Sequence, residues 1–240
     1  ANVICHVPDL KNLIIAADDM LSSSGVFVFE EPYLGSMFSK VSYDQIYDEH
    51  VFIFSAMSVS QIFGRSGFEL INLYPVETHG GSMRYVLAKK GVRDIDPVVN
   101  KTLQDEKDNK LHLKETYDIF KTNCEESKSR LLNLLNDAYD NGLKVAGYGA
   151  TSKSTTILNY CGIQKHLIEY ISDTTPIKQD KLSPGVHIPV KSYDYFQKNL
   201  PDIVLLLAWN HSEEIILKEE KILSKDLNWI SHLPKMLLNQ

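Results

Sequence analysis

Four consecutive ionisable side chains, Tyr47-Asp48-Glu49-His50, form the segment best suited to acid–base chemistry. They follow an aromatic-rich stretch and precede the apolar run 51–54. A histidine with a pKa of about 6.5 beside a carboxylate is the usual composition of a general base, and a tyrosine hydroxyl can donate to a developing oxyanion. A solvated turn that ends in a surface histidine has the same composition. The segment is therefore a candidate catalytic site, with a structural role as the alternative.

Two other histidines occupy positions that suit ligand contact. His6 follows residues that we predict to be the end of a buried strand, and α/β sheets place ligands at the carboxyl ends of their strands. His79 precedes Gly80 and Gly81, and glycines allow a ligand to approach the backbone closely. A hairpin needs the same glycines, and an isolated histidine is often structural. A structural interpretation of both positions therefore stays open.

A glycine-rich turn at 147–154 is predicted between a strand and a helix, where free N–H groups at the helix start attract phosphate. Ser152 stands where both a dinucleotide fingerprint and a phosphate-binding loop require a glycine. Asp173 nevertheless ends the next strand at about the distance expected of a ribose-binding acid. The turn predicts a phosphate contact or, alternatively, only close packing of the strand against the helix.

The elements that carry these residues begin with a strand, helix, strand order of the parallel α/β kind. Asp9 can cap a helix over 10–21, and the apolar run 26–30 is typical of a strand buried on both faces. Segments 68–74 and 82–88 are β-rich and are joined by a glycine-containing loop. They predict an antiparallel pair at the end of the same sheet.

A long helix and a second α/β region follow. The polar stretch 94–114 predicts a connector or the exposed start of a helix, and 115–141 has apolar residues at three- and four-residue steps, as in an amphipathic helix. The strands predicted after it are 144–148, 167–173, 203–209 and one around 229–230, and the helices between them are 151–161, 193–199 and 212–224.

Composition limits the classes of partner. The chain has 240 residues and a net charge of −6, with 25 basic and 31 acidic residues, which argues against nucleic acid or an anionic membrane as partner. No apolar run approaches the roughly 20 residues that cross a bilayer. Three scattered cysteines (Cys5, Cys124 and Cys161) have the spacing of neither a disulfide framework nor a zinc site, so we predict no metal site and a reducing cytoplasm.

A series of short motifs is spread over nearly the whole chain. They are residues 2–9, 47–50, 79–84, 147–153, 158–162, 178–179, 184–189 and 206–210. In this order and spacing they resemble the motifs of bacterial sugar C-methyltransferases, which act on nucleotide-linked keto-deoxysugars. Asp48 is a departure, because relatives commonly carry histidine there.

The resemblance implies a domain plan. In that family a zinc-binding module precedes an S-adenosylmethionine-binding Rossmann domain, and a second Rossmann-like domain follows. The implied fold is α/β, with the C-terminal half of a methyltransferase domain (1–92), a connector and long helix (93–142) and a complete nucleotide-sugar-binding domain (143–240). Zinc and the cofactor loop are then expected upstream of this chain, which we expect to be inactive alone, and some apolar surface within 1–90 should be exposed.

The implied reaction is methylation of the carbon next to the ketone of a nucleotide-linked deoxysugar, with S-adenosylmethionine as methyl donor. His50 would be the base, Glu49 would orient it, and Tyr47 would serve the enolate or the sugar. Asn2 and His6 would contact the cofactor, and His6 would lie at its junction with substrate. The implied substrate contacts are His79, Gly80, Lys153, Asn159 and Lys178.

Two alternatives stay open at this point. A non-catalytic nucleotide-sugar-binding module would use the turn at 147–154 without methyl transfer. An NAD-dependent oxidoreductase would place Asp173 on a ribose, although the third glycine of its fingerprint is replaced by Ser152. The sugar, the methylated carbon and the oligomeric state are not specified by any motif.

Overall fold

An antiparallel sheet organises the first part of the chain. Its strands are β1 (Val26–Pro32), β2 (Phe68–Val76) and β3 (Ser82–Lys89), in the order β1-β3-β2. The computed structural model describes residues 1–223 and 227–233. The predicted antiparallel pairing of 68–74 with 82–88 is confirmed, since β2 runs antiparallel to β3.

The prediction of a parallel strand at 26–30 with both faces buried is wrong. β1 pairs antiparallel with β3, and the side chains of Val26 and Val28 are 38% and 47% exposed. Phe27 and Phe29 point the other way and pack against Phe63. A strand alternates its side chains between two faces, so a run of apolar residues does not by itself show that both faces are covered.

Helices pack against this sheet. They are α1 (Leu10–Met20), α2 (Leu34–Lys40), α3 (Ala56–Gly64) and α4 (Pro97–Asp108). Asp9 caps α1 as predicted, because its side chain accepts the Asn12 N–H. The polar stretch predicted as a connector or an exposed helix start contains α4, a separate helix that Asp96 caps.

A buried carboxylate joins three of these elements. Glu106 on α4 accepts hydrogen bonds from the Tyr33 hydroxyl and from the N–H groups of Ala56 and Met57. The two N–H groups belong to the first turn of α3, where no intrahelical acceptor exists. A polar residue of the predicted connector thus stabilises the start of a core helix.

A parallel sheet organises the later part of the chain, as the second α/β rhythm predicted. Among the described residues the strand order is β6-β5-β4-β7-β8. The strands are β4 (Val145–Tyr148), β5 (Tyr170–Ser172), β6 (Val190–Lys191), β7 (Ile203–Leu206) and β8 (Asn228–Ile230). Only β6, two residues long, had no counterpart in the sequence-based expectation.

The helices associated with that region also follow the predicted order. They are α5 (Lys114–Asp140), α6 (Ser152–Tyr160), α7 (Tyr193–Lys198) and α8 (Ser212–Ile222). Ser224, the predicted end of the last helix, lies outside the described residues, as do 225–226 and 234–240 of the predicted C-terminal domain. The described helices include none that is long and apolar enough to span a membrane.

Two compact units divide the chain. The first contains residues 1–39 and 48–120, and the second contains 40–47 and the chain from 121 onward. The short segment 40–47 therefore packs with the second unit although its neighbours in sequence pack with the first. The domain boundaries predicted after 92 and 142 stay predictions.

Candidate active site

A short 3₁₀ turn, Ile4–His6, presents the first of the predicted site residues. The expected end of a buried strand at this position is wrong. Asn2 makes one backbone hydrogen bond to Glu30 of β1, but one carboxylate oxygen of Glu31 then accepts the N–H groups of both Val3 and Ile4, at 2.9 and 2.6 Å. Because these N–H groups converge on a side chain, they cannot continue a strand ladder, and the chain turns.

The segment that carries His50 is joined to this turn by two hydrogen bonds. The Phe52 N–H donates to the Cys5 carbonyl at 3.2 Å, and Nδ1 of His6 lies 2.6 Å from the Glu49 carbonyl oxygen. A carbonyl oxygen can only accept, so Nδ1 of His6 carries the proton and Nε2 of the neutral ring keeps its lone pair. The backbone of Glu49, and not its exposed carboxylate, therefore orients His6.

His6 and His50, which we call the histidine pair, lie side by side. Their ring centroids are 5.2 Å apart at an interplanar angle of 48°, and both residues are half-buried. An open cavity of about 350 Å³ is lined by His6, Pro8, Asp48, Glu49 and Val51. That volume is within the range of small-molecule sites. The histidine pair can therefore accept or hold a proton at a position that solvent and ligands reach.

Cys5 completes a compact group with this pair. The ligand atoms of Cys5, His6 and His50 all lie within 4.8 Å of one another. Burial, followed by the adjacent Glu31 carboxylate, raises the pKa of the Cys5 thiol far above its usual value. Cys5 is therefore a protonated thiol at neutral pH and not a nucleophile. Sequence reasoning missed it because a single cysteine had no recognisable spacing.

Asn2, which precedes this turn, carries a buried acceptor. Its side-chain oxygen is buried and has no hydrogen-bond partner among the described residues, and its φ is +54°. Buried polar atoms are normally satisfied, so this oxygen can accept from a donor other than the residues that the structure describes. That observation fits the predicted contact of Asn2 with a cofactor, since an ammonium or hydroxyl group of S-adenosylmethionine could donate there.

Tyr47 and His79 belong to different parts of the structure. Tyr47 packs in the second unit, and His79 is exposed in the turn between β2 and β3, with a φ of +53°. Gly80 in the same turn is buried with a φ of +83°, which favours glycine. The roles predicted for these residues stay predictions.

The glycine-rich turn after β4 is closed by its own neighbours. Asp173 accepts the Ala150 N–H at 2.7 Å, and the Lys178 ammonium donates to the Ala150 carbonyl at 2.7 Å and lies 3.6 Å from Asp173. A Cβ on Gly149 would lie 2.7 Å from the Cβ of Ala208. Close packing accounts for the glycine, and a carboxylate uses an N–H that a phosphate would need. These contacts favour the packing alternative over a dinucleotide site.

Two further predicted substrate contacts also have partners within the second unit. The Asn159 amide donates to the carbonyls of Thr155 and Pro184. Lys153 is buried, with its ammonium 5.4 Å from the ring centre of Trp209. Burial lowers the pKa of Lys153, and the nearby Asp44 partly offsets that effect. Substrate binding by these side chains stays a prediction.

The second unit also contains a buried acid–histidine group that was not predicted from the sequence. Asp44 accepts a hydrogen bond from Trp209 Nε1 at 2.6 Å and lies 3.2 Å from His232 Nε2, and all three residues are buried. Burial alone would raise the pKa of Asp44, but the bonds from His232 and Trp209 and the charge of Lys153 hold it below its usual range. We call these three residues the Asp44 cluster. They come from distant segments, so no local pattern could have revealed them.

Comparison with known proteins assigns both parts of the chain. A family model described as the C-methyltransferase C-terminal domain matches residues 77–234. The chain belongs to this C-methyltransferase family. A second model, described as a methyltransferase domain, matches residues 1–73, the range that contains the histidine pair. The mixed α/β structure with a parallel sheet fits a Rossmann-like methyltransferase of this family.

A curated relative supports the same assignment. The chain is 31% identical over 231 residues to the C-methyltransferase NovU of Streptomyces niveus, an alignment that covers 96% of this chain and 55% of NovU. The chain thus spans about half the length of the curated relative it matches.

Proposed function

We propose that the chain is part of a sugar C-methyltransferase and carries its catalytic base. The reaction is transfer of a methyl group from S-adenosylmethionine to the carbon next to the ketone of a nucleotide-linked deoxysugar. The observation that carries the proposal is the histidine pair, which lies within the range that matches a methyltransferase domain and of which His6 lines an open cavity. The nucleotide-linked sugar rests on the motif resemblance.

Such a reaction needs a base that removes the proton α to the ketone. His50 takes that proton onto its ring, and the electron pair of the broken C–H bond moves into an enolate whose oxygen needs a donor. The Tyr47 hydroxyl is the proposed donor. When bound, S-adenosylmethionine would supply an electrophilic methyl group to the enolate carbon, with its S–CH3 bond broken and S-adenosylhomocysteine as the leaving group.

His6 supports this step through its fixed tautomer. Its Nδ1–H is held by the Glu49 carbonyl, so the lone pair on Nε2 is oriented and cannot rotate away. With one proton on the ring, Nε2 of His6 can accept a hydrogen bond from water or substrate beside His50. Asn2, with its unpartnered oxygen, and His6 are the proposed contacts to the cofactor.

The proposed substrate contacts need separate support. His79 and Gly80 occupy a tight turn, and Lys153, Asn159 and Lys178 already make contacts within the protein. A nucleotide sugar that binds Asn159 and Lys178 would therefore have to replace the hydrogen bonds that these two side chains make within the protein. The zinc expected in an upstream module, the cytoplasmic location and the absence of a nucleic-acid partner also stay predictions, the last on the basis of the net charge of −6.

Methyl transfer by the whole protein tests the proposal. With labelled S-adenosylmethionine and a thymidine-diphosphate keto-deoxysugar, His50→Ala should lower the rate by roughly 10²- to 10⁴-fold, the contribution of a positioned base. The matched control is His112→Ala, an exposed histidine between α4 and α5, which should leave the rate unchanged. Calorimetry should show that His50→Ala still binds the nucleotide sugar. A near-normal rate for His50→Ala removes His50 from the role of base.

A further inference from the structure

Cys5, His6 and His50 offer three metal-ligating side chains at one place in the first unit. Their ligand atoms lie within 4.8 Å of one another. Around a tetrahedral zinc ion, with bonds of about 2.0–2.3 Å, ligand atoms are separated by about 3.3–3.8 Å. Side-chain adjustments of about 1 Å or less would therefore bring all three onto one ion. The spacing along the chain had predicted no metal site, because His50 is remote in sequence from the other two.

The surroundings of His6 match those of a metal-binding histidine. Such residues usually donate their second ring N–H to a carbonyl or carboxylate, which fixes the ring and its tautomer. The contact of 2.6 Å from His6 Nδ1 to the Glu49 carbonyl is this arrangement, and Nε2 keeps the lone pair that a metal needs. The backbone of the segment that carries His50 thus orients the other histidine of the site.

A second independent feature is the carboxylate beside Cys5. Glu31 is fully buried, and its Oε2 has no hydrogen-bond partner among the described residues. The Cys5 thiol interacts with this carboxyl group, and a cation that replaces the thiol proton would compensate the burial of both groups. Glu31 Oε1 meanwhile accepts from Val3 and Ile4, so the carboxylate is held in place next to the turn.

We propose that Cys5, His6 and His50 form a binding site for one soft divalent metal ion, of which Zn²⁺ is the type. The ion binds the sulfur of Cys5 and one nitrogen of each histidine, and a water from the adjacent cavity fills the fourth position. Binding replaces the thiol proton, which leaves to solvent as H⁺ while the sulfur retains the electron pair of the S–H bond. Thiolate and imidazole ligands select Zn²⁺, Co²⁺ or Cd²⁺ over Mg²⁺ and Ca²⁺.

The site would make metal binding and proton transfer mutually exclusive. A bound ion occupies the lone pair with which His50 removes a proton, so the metal acts as a reversible inhibitor. This consequence rests on the proposed function, whereas metal binding itself does not. The two can be tested separately.

Cobalt(II) titration of this chain tests the site without any assay of methyl transfer. We expect saturable binding of one equivalent, with a near-ultraviolet charge-transfer band from thiolate to cobalt, displacement by Zn²⁺ and no displacement by Mg²⁺. Cys5→Ser should abolish the charge-transfer band, and His50→Gln should weaken cobalt binding at least about tenfold. Cys124→Ser, another buried cysteine, is the matched control and should leave the spectrum unchanged.

Three results would overturn the site. They are the absence of a thiolate band in the wild-type chain, a band that persists in Cys5→Ser, and unchanged affinity in His50→Gln. Circular dichroism establishes whether each variant is folded. If Cys5→Ser fails to fold, His50→Gln provides the test, because His50 is only half-buried. Inhibition is tested in the whole protein, where the Zn²⁺ concentration for half-inhibition should rise at least about tenfold in Cys5→Ser. Loss of this inhibition with cobalt binding intact would contradict only the proposed base.

Discussion

The two units each hold a histidine close to other ionisable groups, but in opposite environments. In the first unit both residues of the histidine pair are half-buried, and His6 lines an open cavity. In the second unit the Asp44 cluster is buried, and each carboxylate oxygen of Asp44 already has a partner. The residue types are those of acid–base sites in both places. Accessibility, rather than residue type, distinguishes the candidate for chemistry from the structural contact.

The Asp44 cluster explains why segment 40–47 packs with the second unit. Asp44 lies in this segment, and its partners Trp209 and His232 lie in the later part of the chain. Asp48 is the first residue after this segment, and it belongs to the first unit together with His50. The contacts of Asp44 with Trp209 and His232 therefore account for the place of segment 40–47 in the second unit.

Removing the carboxylate from the Asp44 cluster is the mutation with the largest expected effect on stability. Asp44→Ala leaves His232 and Trp209 buried without their acceptor, which should lower the free energy of unfolding by about 3–5 kcal/mol. Urea denaturation measures this. Asp44→Asn keeps an acceptor for Trp209 and should lose less. A loss below about 1 kcal/mol for Asp44→Ala would show that the cluster does not hold the segment.

Breaking the support of the histidine pair should have a smaller effect. Glu31→Ala leaves the N–H groups of Val3 and Ile4 without an acceptor, at a cost of about 1–3 kcal/mol. Glu31→Gln retains an amide oxygen and should recover most of that stability. Because the turn also positions His6, the imidazole resonances of His6 should shift in Glu31→Ala. Unchanged His6 resonances would show that the bonds from Glu31 to this turn do not position His6.

Acid should weaken the second unit through Asp44. The folded pKa of Asp44 lies below its unfolded value of about 3.9, so its contribution to stability is complete above that value and is lost as the pH falls through the folded pKa. The loss is about 1.4 kcal/mol per unit of pKa difference. Urea denaturation between pH 2 and pH 6 should give a flatter profile for Asp44→Asn. Parallel profiles would contradict the assignment.

Lys178→Ala should have the smallest effect. Its ammonium is about two-fifths exposed and bonds the Ala150 carbonyl, so removing it should cost roughly 0–1 kcal/mol of stability. The measurement that matters is calorimetry with a thymidine-diphosphate sugar. Weaker binding in Lys178→Ala, with Lys181→Ala as the exposed control, would favour the predicted diphosphate contact. Unchanged binding would assign Lys178 to closure of the turn alone.

Local patterns were sufficient to predict much of the fold. The Asp9 cap, the pairing of β2 with β3 and the alternating strands and helices of the second unit all depend on residues close in sequence. The exposed face of β1 and the turn at Ile4–His6 were not predicted. Both depend on tertiary context, in the second case on a single carboxylate, Glu31.

The candidate site was predictable residue by residue but not as an arrangement. His6 and His50 each stood out in sequence by their neighbours, whereas their proximity, the role of the Glu49 carbonyl and the inclusion of Cys5 follow only from the fold. The motif resemblance identified the family, which the C-methyltransferase model then confirmed. It could not distinguish side chains that are free to meet a substrate from those, such as Asn159, that bond the protein itself.

Exchange of the proton next to the ketone is the most direct test of His50 as the base. The whole protein is mixed with the keto-sugar nucleotide in deuterated water without S-adenosylmethionine, so that no methyl group is transferred. Nuclear magnetic resonance then follows enolate formation alone. The wild-type protein and His112→Ala should exchange this proton at the same rate, and His50→Ala should be slower by roughly 100-fold or more. Exchange by His50→Ala at the wild-type rate would contradict the assignment.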